Sequence, residues 1–427
     1  MFPLEHLSYR DIVKFKVKRL PPGSSEPIRG VSHHMRTVLS ALVVVLVVAL
    51  TGLVTAPSTG AAPVASNLVP LSGVVTTIAP ESVGLQLHAM NGRRYGATGQ
   101  IHYLEFMTGQ YSLAIGLAHH AVDGGRQTTS AMCQSTPGCV AAVNGDYFDM
   151  TRRGVPDPGD EVGAIIQHCV LLHTSEVAHQ QADLIGQSVN EGLKWTSVID
   201  ANGVSVAISA INQELPMSYA KVRLPLTGTL LFTTPYALRV PSAPGRITLV
   251  FTSAVGSTSP TLINSTTQLV LSSFTSDPVK VTAGHVDVSV PSSSPLSNLH
   301  VGEVVSLTTT ATSGCENVGG HPVLLDHGVV DTVAPADTYM TKPYARSVIG
   351  WTASGSTVLL VVDGRDGISG ATAHQLVALL RALHVVTALD LDGGNSTTLY
   401  AERRVINRPS DGKERPVSTA ILVVQNS

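Results

Sequence analysis

The chain is poor in charge and in aromatic residues, and it has no basic excess. Of its 427 residues, 13% are charged and 4% are aromatic, and the net charge is −3. Residues 1–62 contain seven Lys and Arg against three Asp and Glu, a balance of +4, so the remaining chain carries −7. Proteins that bind nucleic acids need a basic surface to neutralise phosphates. The composition therefore argues against a nucleic-acid partner.

Cysteine is scarce as well. No two of the four cysteines have Cys-x-x-Cys spacing, which disfavours a zinc site. An even number in an exported chain suits two disulfides. The cysteines are Cys133, Cys139, Cys169 and Cys315. Three pairings are open, but the short Pro-Gly-containing loop between the first two favours Cys133–Cys139 and leaves Cys169 for Cys315.

One apolar run near the N-terminus has the pattern of an export signal. The run Val38–Leu50 is followed by small residues, with Gly60 and Ala62 at the −3 and −1 positions of a cleavage site. We therefore expect residues 1–62 to be an N-terminal extension and a signal peptide that opens at Met35. A retained anchor is the alternative, and it is the only membrane attachment we expect. Either reading predicts a secreted or extracytoplasmic protein.

Val, Ala, Ser, Thr, Gly and Leu dominate the rest of the chain. This is a β-rich composition with enough apolar residues for a sizeable core. Asn202-Gly203 separates two strand patterns and predicts a hairpin. The segment Ser253–Ser313 is rich in Ser, Thr and Val and alternates as half-buried strands do. The fold class predicted is α+β or mixed α/β, with a β-rich mixed sheet and few helices.

The most informative stretch runs from Thr357 to Tyr400. Val358–Val362 is a continuous apolar run, typical of a strand buried on both faces, and an Asp-Gly-Arg turn ends it. Thr372 and Gln375 then have the spacing of a capping box, and leucines follow at helical spacing. Val385–Leu391 is the next strand, ended by Asp-Gly-Gly. The pattern predicts a strand–helix–strand unit.

Such a unit is a right-handed crossover between parallel strands, whose carboxyl ends share one edge of a sheet. We therefore expect the two turns to meet as neighbours over one crevice. A single Asp-Gly would only indicate a bend. Two of them at corresponding strand ends favour a site. Its predicted members are Asp363, Arg365, Asp392, Gly393, Gly394, Asn395 and Ser396.

The chain also resembles the phosphodiester glycosidase family, through an ordered set of segments. These are Asn144–Phe148; Ser209–Asn212 with Leu230–Tyr236; Gly319–Pro322; Arg346–Gly350 leading into Asp363-Gly364-Arg365; and Asp392–Thr398 with Arg415–Val424. The resemblance implies a catalytic domain over residues 131–427, preceded by a lead-in β segment over 63–130. The chain departs from the family pattern at Asp146, Asp390, Asn395 and Thr419, and these departures bear on the identity of the substrate more than on the fold.

The resemblance implies hydrolysis of a sugar-1-phosphodiester, with a carbohydrate phosphodiester as the partner and no required cofactor. Phosphate is a good leaving group, so clamping its oxygens matters more than strong acid assistance. Arg346 and Arg365 are the candidate clamp. Asp363 and Asp392 are the candidate carboxylates, in roles that stay open. The remaining candidates are Asp146 as a further catalytic residue, and Asn144, Gly393, Gly394, Asn395, Ser396 and Thr397 as substrate-binding residues.

Two other functions remain open from the sequence. One is a non-catalytic protein that binds glycans or the cell wall on the same fold. The other is a metal-dependent phosphodiesterase, in which Asp363, Asp390 and Asp392 hold Ca²⁺ or Mg²⁺. Extracellular or cell-wall glycopolymers are the expected target of the hydrolase. The histidines, among them His168 and His173, show no metal-ligand spacing and are predicted to be structural.

Overall fold

Strands dominate the structure, and its helices are short. The structure, a computed structural model, describes residues 74–77, 84–149, 159–175, 179–213, 227–253, 259–331, 338–365 and 368–426. The predicted export signal lies outside these residues. The α-helices described are α1 (Thr129–Gln134), α2 (Thr338–Thr341) and α3 (Ala373–Ala382), and single 3-10 turns occupy Gly92–Tyr95, Ala118–His120, Pro295–Asn298 and Gly394–Ser396.

The strands follow one another along the whole described chain. In the first half they are β1 (Val74–Thr77), β2 (Gln86–Asn91), β3 (Gln100–Met107), β4 (Tyr111–Leu117), β5 (Cys139–Asn144), β6 (Ile165–Gln167), β7 (Val170–His173), β8 (Gln180–Asp183), β9 (Ser188–Asn190), β10 (Trp195–Ala201), β11 (Val204–Ala207), β12 (Ala210–Ile211), β13 (Leu230–Thr233) and β14 (Arg239–Val240). In the second half they are β15 (Arg246–Ser253), β16 (Ser265–Thr275), β17 (Val279–Lys280), β18 (His285–Pro291), β19 (Val304–Ala311), β20 (Asn317–Gly320), β21 (Val323–Asp326), β22 (Val329–Val330), β23 (Arg346–Thr352), β24 (Ser356–Val362), β25 (Val385–Asp390), β26 (Leu399–Ala401), β27 (Arg404–Val405) and β28 (Thr419–Gln425). The predicted β-rich fold with few helices is confirmed.

Four sheets carry almost all of these strands. The main sheet has the order β1-β2-β3-β24-β23-β25-β21-β22, and the Ser/Thr-rich sheet has the order β11-β10-β19-β16-β15-β18-β13-β12. The side sheet is β7-β6-β20-β8-β9, and the closing sheet is β27-β26-β5-β28-β4. Strands β14 and β17 form a separate pair. All described residues from β1 onward belong to one compact unit.

The two strands of the most informative stretch are not neighbours, so that part of the prediction is wrong. Strand β23 lies between β24 and β25 and pairs antiparallel with both. A short turn joins β23 to β24, and the two form a hairpin. Strand β23 therefore lies beside β24 in the place where the prediction put β25. Strands β24 and β25 still run in the same direction, so their carboxyl ends share one edge. They are two strand spacings apart, about 10 Å instead of about 5 Å.

Helix α3 covers one face of the main sheet. Thr372 Oγ1 accepts from the Gln375 amide, and Gln375 Oε1 accepts from the Thr372 amide at 2.9 Å, so the predicted capping box is present. The helix buries Leu376, Leu379 and Leu380 against apolar side chains of the sheet. Both β23 and β24 are buried along their whole length, and in β24 this burial accounts for the continuous apolar run Val358–Val362.

Local sequence signals elsewhere also fold as expected. Ala201 pairs with Val204 across the Asn202-Gly203 turn, which joins β10 to β11 as a hairpin. Both disulfides have the favoured pairing, Cys133–Cys139 and Cys169–Cys315. Among the described residues, no helix has both the length and the apolar character needed to span a membrane.

Residues of the lead-in segment are part of the main and closing sheets. Strand β3 pairs with β24 along its whole length, and β4 pairs with β28. Gly99 precedes β3 and packs against the backbone of Asp363, where a side-chain carbon would collide with the carbonyl. The lead-in therefore helps to form the edge at which the candidate site lies.

Candidate active site

A buried asparagine joins the strands that form the floor of the site. Asn144 ends β5 and is fully buried. Its Oδ1 accepts from the Ser347 hydroxyl at 2.7 Å and from the Thr398 amide at 3.1 Å, and its Nδ2 donates to the Asp392 carbonyl at 2.7 Å. A buried amide must satisfy its polar atoms, and here it does so by linking the closing sheet to the main sheet. The structure thus places Asn144 beneath the site, where it positions the Asp392 turn.

Asp146 follows in the next turn and is only 1% exposed. Its Oδ1 accepts from the Tyr147 amide at 2.7 Å and lies 2.8 Å from His179 Nε2. Its Oδ2 has no hydrogen-bond partner among the described residues. That oxygen packs against the backbone of Gly163 and Gly319, at positions where any side-chain carbon would collide with it. The Gly-Gly-His-Pro segment therefore contributes a glycine that makes room for this carboxylate.

Asp392 lies at the carboxyl end of β25 and keeps part of its surface exposed. Burial by its surroundings raises the pKa of Asp392 to about 7, and the Asp146 carboxylate adds to the rise. Hydrogen bonds from Ser396 and from the Gly393 amide, together with the charge of Arg415, oppose it. A carboxyl that titrates near neutral pH and remains reachable is suited to proton transfer.

Glu161 is a third acid of this region, and the sequence reading did not identify it. It is 3% exposed, its Oε1 accepts from the Thr419 hydroxyl at 2.5 Å, and its Oε2 accepts from the Ser418 hydroxyl. Burial, with Asp146 and then Asp392 nearby, raises the pKa of Glu161 well above its ordinary value. Thr419 is one of the departures from the family pattern. Its hydroxyl oxygen also accepts a hydrogen bond from the Asp146 amide at 3.3 Å. We name Asp146, Glu161 and Asp392 the acidic cluster.

Partly exposed side chains surround the acidic cluster. Arg415 lies 3.4 Å from the Ser396 hydroxyl, and its guanidinium is over the Phe148 ring at 6.0 Å. The Tyr147 hydroxyl donates to the His321 carbonyl at 3.0 Å, and His321 Nδ1 lies 3.2 Å from Gln180 Oε1. A guanidinium, a phenol and an imidazole beside a titratable carboxyl are groups that hold an anionic or hydroxyl-rich ligand.

The Asp363 turn has different partners. Asp363 Oδ1 accepts from the Arg408 amide at 2.9 Å, and its Oδ2 lies 3.8 Å from His102 Nε2. The Ser410 hydroxyl is within hydrogen-bond distance of the carbonyls of Gly364 and Gly394, at 2.8 and 3.1 Å. The two acidic turns are therefore close enough for one serine to reach both. Their carboxylates nevertheless have separate surroundings.

The structure gives the two arginines of the predicted clamp, Arg346 and Arg365, different surroundings. Arg346 is fully buried, and its Nη1 lies 3.3 Å from Asp390 Oδ2, also fully buried. Its Nε donates to the Ala371 carbonyl at 3.0 Å. Arg346 is thus the internal ion-pair partner of a strand acid, with no surface for a phosphate. Arg365 is exposed, and the partly exposed guanidinium beside Asp392 belongs to Arg415.

The glycine turn uses its amides inside the protein. The Gly394 amide donates to the Ala345 carbonyl at 2.8 Å, and the Thr397 amide donates to the Gly394 carbonyl at 3.3 Å. The Gly393 amide bonds to Asp392, and Ser396 and Thr397 are buried. Asn395 is the partly exposed member of the turn. These contacts hold the Asp392 carboxylate in place and engage the amides of Gly393, Gly394 and Thr397 inside the protein.

The proposed calcium or magnesium ligands do not assemble. Asp363 contacts His102, Asp390 contacts Arg346, and Asp392 contacts Ser396. Within the described part of the chain, the one group of His, Cys, Asp and Glu side chains whose ligand atoms lie within 4.8 Å of one another is elsewhere. Asp390 cannot join the other two because it is held on β25 by the buried ion pair.

Comparison with known proteins supports the family resemblance. Residues 277–424 match the family model described as phosphodiester glycosidase. The resemblance to that family is confirmed. The matched residues include strands β23 to β25 and the Asp392 turn. They also include Arg415 and the first part of β28, but not Asp146, Glu161 or His179.

Among curated proteins, the chain is 36% identical over 89 residues to the SPbeta prophage-derived uncharacterized protein YomE of Bacillus subtilis strain 168. That match covers 21% of this chain and 14% of the relative. The chain thus spans a small part of the length of this relative. The similarity supports kinship over one segment.

Solved structures share the fold at low identity. A hypothetical protein from Synechocystis has a TM-score of 0.64 and 16% identity, over 82% of this chain and 64% of that one. A putative exported protein from Burkholderia pseudomallei K96243 has a TM-score of 0.59 and 17% identity, over 77% of this chain and 74% of that one. At these identities the similarity shows the fold alone.

A third structure is the zebrafish N-acetylglucosamine-1-phosphodiester alpha-N-acetylglucosaminidase catalytic domain, auto-inhibited by its pro-peptide. It has a TM-score of 0.42 and 14% identity, over 83% of this chain and 88% of that chain. This TM-score is too low to establish a common fold.

Proposed function

We propose that the protein is an extracytoplasmic hydrolase that cleaves the glycosidic bond of sugar-1-phosphodiesters, with Asp392 as its proton-transferring carboxyl. The observation that carries the proposal is the contrast within the acidic cluster. Asp392 is partly exposed, and its pKa is raised to about 7, whereas Asp146 is buried against His179. Glycoside hydrolysis uses two carboxyl groups that have different environments. The match of residues 277–424 to the phosphodiester glycosidase model gives the reaction class.

In the proposed reaction, water adds to the anomeric carbon and the bond from that carbon to the phosphate oxygen breaks. The bonding electron pair leaves with the phosphate, and the products are a free sugar and a phosphomonoester. Asp392 hydrogen-bonds the departing oxygen or transfers a proton to it, and the added water releases one proton to the solvent as it becomes the hydroxyl group of the sugar. Arg415, beside Asp392, neutralises the negative charge that develops there. The Asp146 carboxylate lies within the electrostatic reach of Asp392 and stabilises the positive charge on the sugar.

Export and an extracellular substrate are part of the same proposal. Two disulfides are consistent with an oxidising compartment. One of the structures that share the fold is described as a putative exported protein. A glycopolymer joined through sugar-1-phosphate links, as found outside cells, would present both the anion and the hydroxyl groups that Arg415, Tyr147 and Asn395 can bind.

The direct test is to incubate the chain from residue 63 onward with UDP-GlcNAc and a panel of sugar-1-phosphodiesters, and to identify the products. We expect a free sugar and a phosphomonoester, and with H₂¹⁸O the label should be in the sugar. Asp392→Asn should lower the turnover number by about 10²–10⁴-fold, while Asp326→Asn, an exposed acid on the main sheet, serves as the control. Binding without turnover across the panel would favour a glycan-binding protein and overturn the proposal.

The metal-dependent phosphodiesterase gives the opposite label. Cleavage of the bond between phosphorus and oxygen would put ¹⁸O in the phosphate. Its activity would be lost when EDTA removes the metal. The separation of Asp363, Asp390 and Asp392 disfavours this candidate. ¹⁸O found in the phosphate would therefore contradict the proposed bond cleavage even if turnover were rapid.

A further inference from the structure

A second group of polar side chains lies in the loops beside the closing sheet. Asp123 follows β4, Asp160 precedes β6, and His173 ends β7. They are 5%, 5% and 0% exposed. One ligand atom from each lies within 4.8 Å of the other two. These residues are separate from Asp392 and Arg415, and the proposed reaction does not use them.

The orientation of the histidine is fixed by a backbone carbonyl. His173 Nδ1 lies 3.0 Å from the Gly163 oxygen, and a carbonyl oxygen can only accept. Nδ1 must therefore carry the hydrogen, which leaves the lone pair of a neutral imidazole on Nε2. This Nε2 faces Asp160 Oδ1 at 3.2 Å. Two acceptors at this distance repel each other, so either a proton or a metal cation must lie between them.

The same arrangement is common around bound metals. A histidine that ligates a metal usually donates its other ring hydrogen to a carbonyl or carboxylate, which fixes the tautomer. In a tetrahedral site with bonds of about 2.0–2.1 Å, two ligand atoms are about 3.3–3.4 Å apart. The spacing of 3.2 Å between His173 Nε2 and Asp160 Oδ1 is close to that edge.

We propose that Asp123, Asp160 and His173 bind one divalent cation of the zinc type. Imidazole nitrogen disfavours Ca²⁺ and Mg²⁺, which prefer oxygen ligands, whereas Zn²⁺ accepts one nitrogen and two carboxylate oxygens. An adjoining cavity is lined by Asp123, Gly125, Gly159, Glu161, Ser418 and Thr419. The bound ion would tie the loops of Asp123 and Asp160 to β7, behind the acidic cluster.

The competing explanation is a protonated His173 that forms a buried ion pair with Asp160. Titration of the chain with Zn²⁺ after treatment with a chelator separates the two. We expect one Zn²⁺ per chain by elemental analysis and calorimetry, and a rise in the thermal midpoint on adding Zn²⁺. Asp160→Asn and His173→Gln should each weaken binding by at least about 100-fold. His327→Gln is the control, because His327 lies 2.6 Å from an Asp326 oxygen in an exposed pair.

Asp123→Asn provides a second variant in case the others fail to fold. It should also lose Zn²⁺ while retaining the circular dichroism of the parent. A parent chain that binds no Zn²⁺, or Asp123→Asn and His173→Gln variants that bind it with unchanged affinity, would overturn the proposal and favour the protonated histidine. Sugar release is not part of this readout, so the result is independent of the proposed reaction.

Discussion

The two Asp-Gly turns at the edge of the main sheet look alike in sequence and differ in chemistry. Asp363 ends β24 and is held by a backbone amide of residue 408 and by His102. Asp392 ends β25 and lies beside Asp146, Glu161 and an arginine. The buried surroundings of Asp392 and the nearby Asp146 raise its pKa to about 7. Position in the sheet decides which turn is suited to catalysis.

The largest expected effect separates the two turns directly. Asp392→Asn should lower the turnover number by about 10²–10⁴-fold, because it removes the transferable proton. Asp363→Asn should change turnover by less than about tenfold on the same scale, since its carboxylate contacts only structural partners. Sugar release by both variants, with circular dichroism to verify folding, measures the difference. Equal losses in the two variants would remove the distinction.

Arg346, on strand β23 between the strands that carry the two turns, is expected to stabilise the fold through its ion pair with Asp390. Arg346→Met leaves Asp390 buried without its partner and should lower the free energy of unfolding by about 3–5 kcal/mol. Adding Asp390→Leu should recover most of that loss. Arg404→Met, which breaks an exposed pair with Glu402, should cost less than about 1 kcal/mol. Urea unfolding measures all three. A small loss for Arg346→Met would reopen its role as a phosphate ligand.

The two arginines beside the turns should differ in their effect on rate. Arg415→Ala removes the charge beside Asp392 and should lower the turnover number by about 10²–10³-fold, the range for loss of one group that stabilises a developing charge. Arg365→Ala changes an exposed side chain and should leave the rate almost unchanged. Steady-state kinetics with the substrate found in the panel tests this. A greater loss of rate for Arg365→Ala than for Arg415→Ala would indicate that the phosphate is held at the Asp363 turn.

The smallest effect concerns the dependence of stability on pH. The pKa of Asp392 is raised to about 7 in the folded protein, whereas an exposed aspartate titrates near 4. Its contribution to stability is therefore complete below about pH 4 and is lost as the pH rises through about 7. Asp392→Asn should flatten the fall in thermal midpoint between pH 5 and 8, measured by calorimetry. An unchanged profile would contradict the raised pKa.

Signals that are local in sequence predicted local structure well. The capping box at Thr372, the Asn202-Gly203 hairpin and both disulfides follow from spacing along the chain. The motif Asn144-Gly145-Asp146 and the Asp392 turn, which the family resemblance had only named as segments of one pattern, meet through the hydrogen bond from Asn144 to the Asp392 carbonyl. These successes depend on residues that are close in sequence or belong to one known motif.

What could not be predicted depends on pairing between distant strands. The antiparallel insertion of β23 separates β24 from β25, and no periodicity within either strand indicates it. Glu161 belongs to a Gly/Pro/Asp-rich segment that predicts only a loop, and Arg415 was noted only as the start of a strand. His179 had no motif at all. The packing of Gly163 and Gly319 on Asp146 becomes evident only when the sheets are assembled.

The most direct test of the central claim is a titration of the aspartate carboxyls by ¹³C NMR, with the Asp392 signal assigned as the one lost in Asp392→Asn. The account predicts a midpoint at about pH 7 for Asp392. A midpoint near 4, the value of an ordinary aspartate, would contradict it.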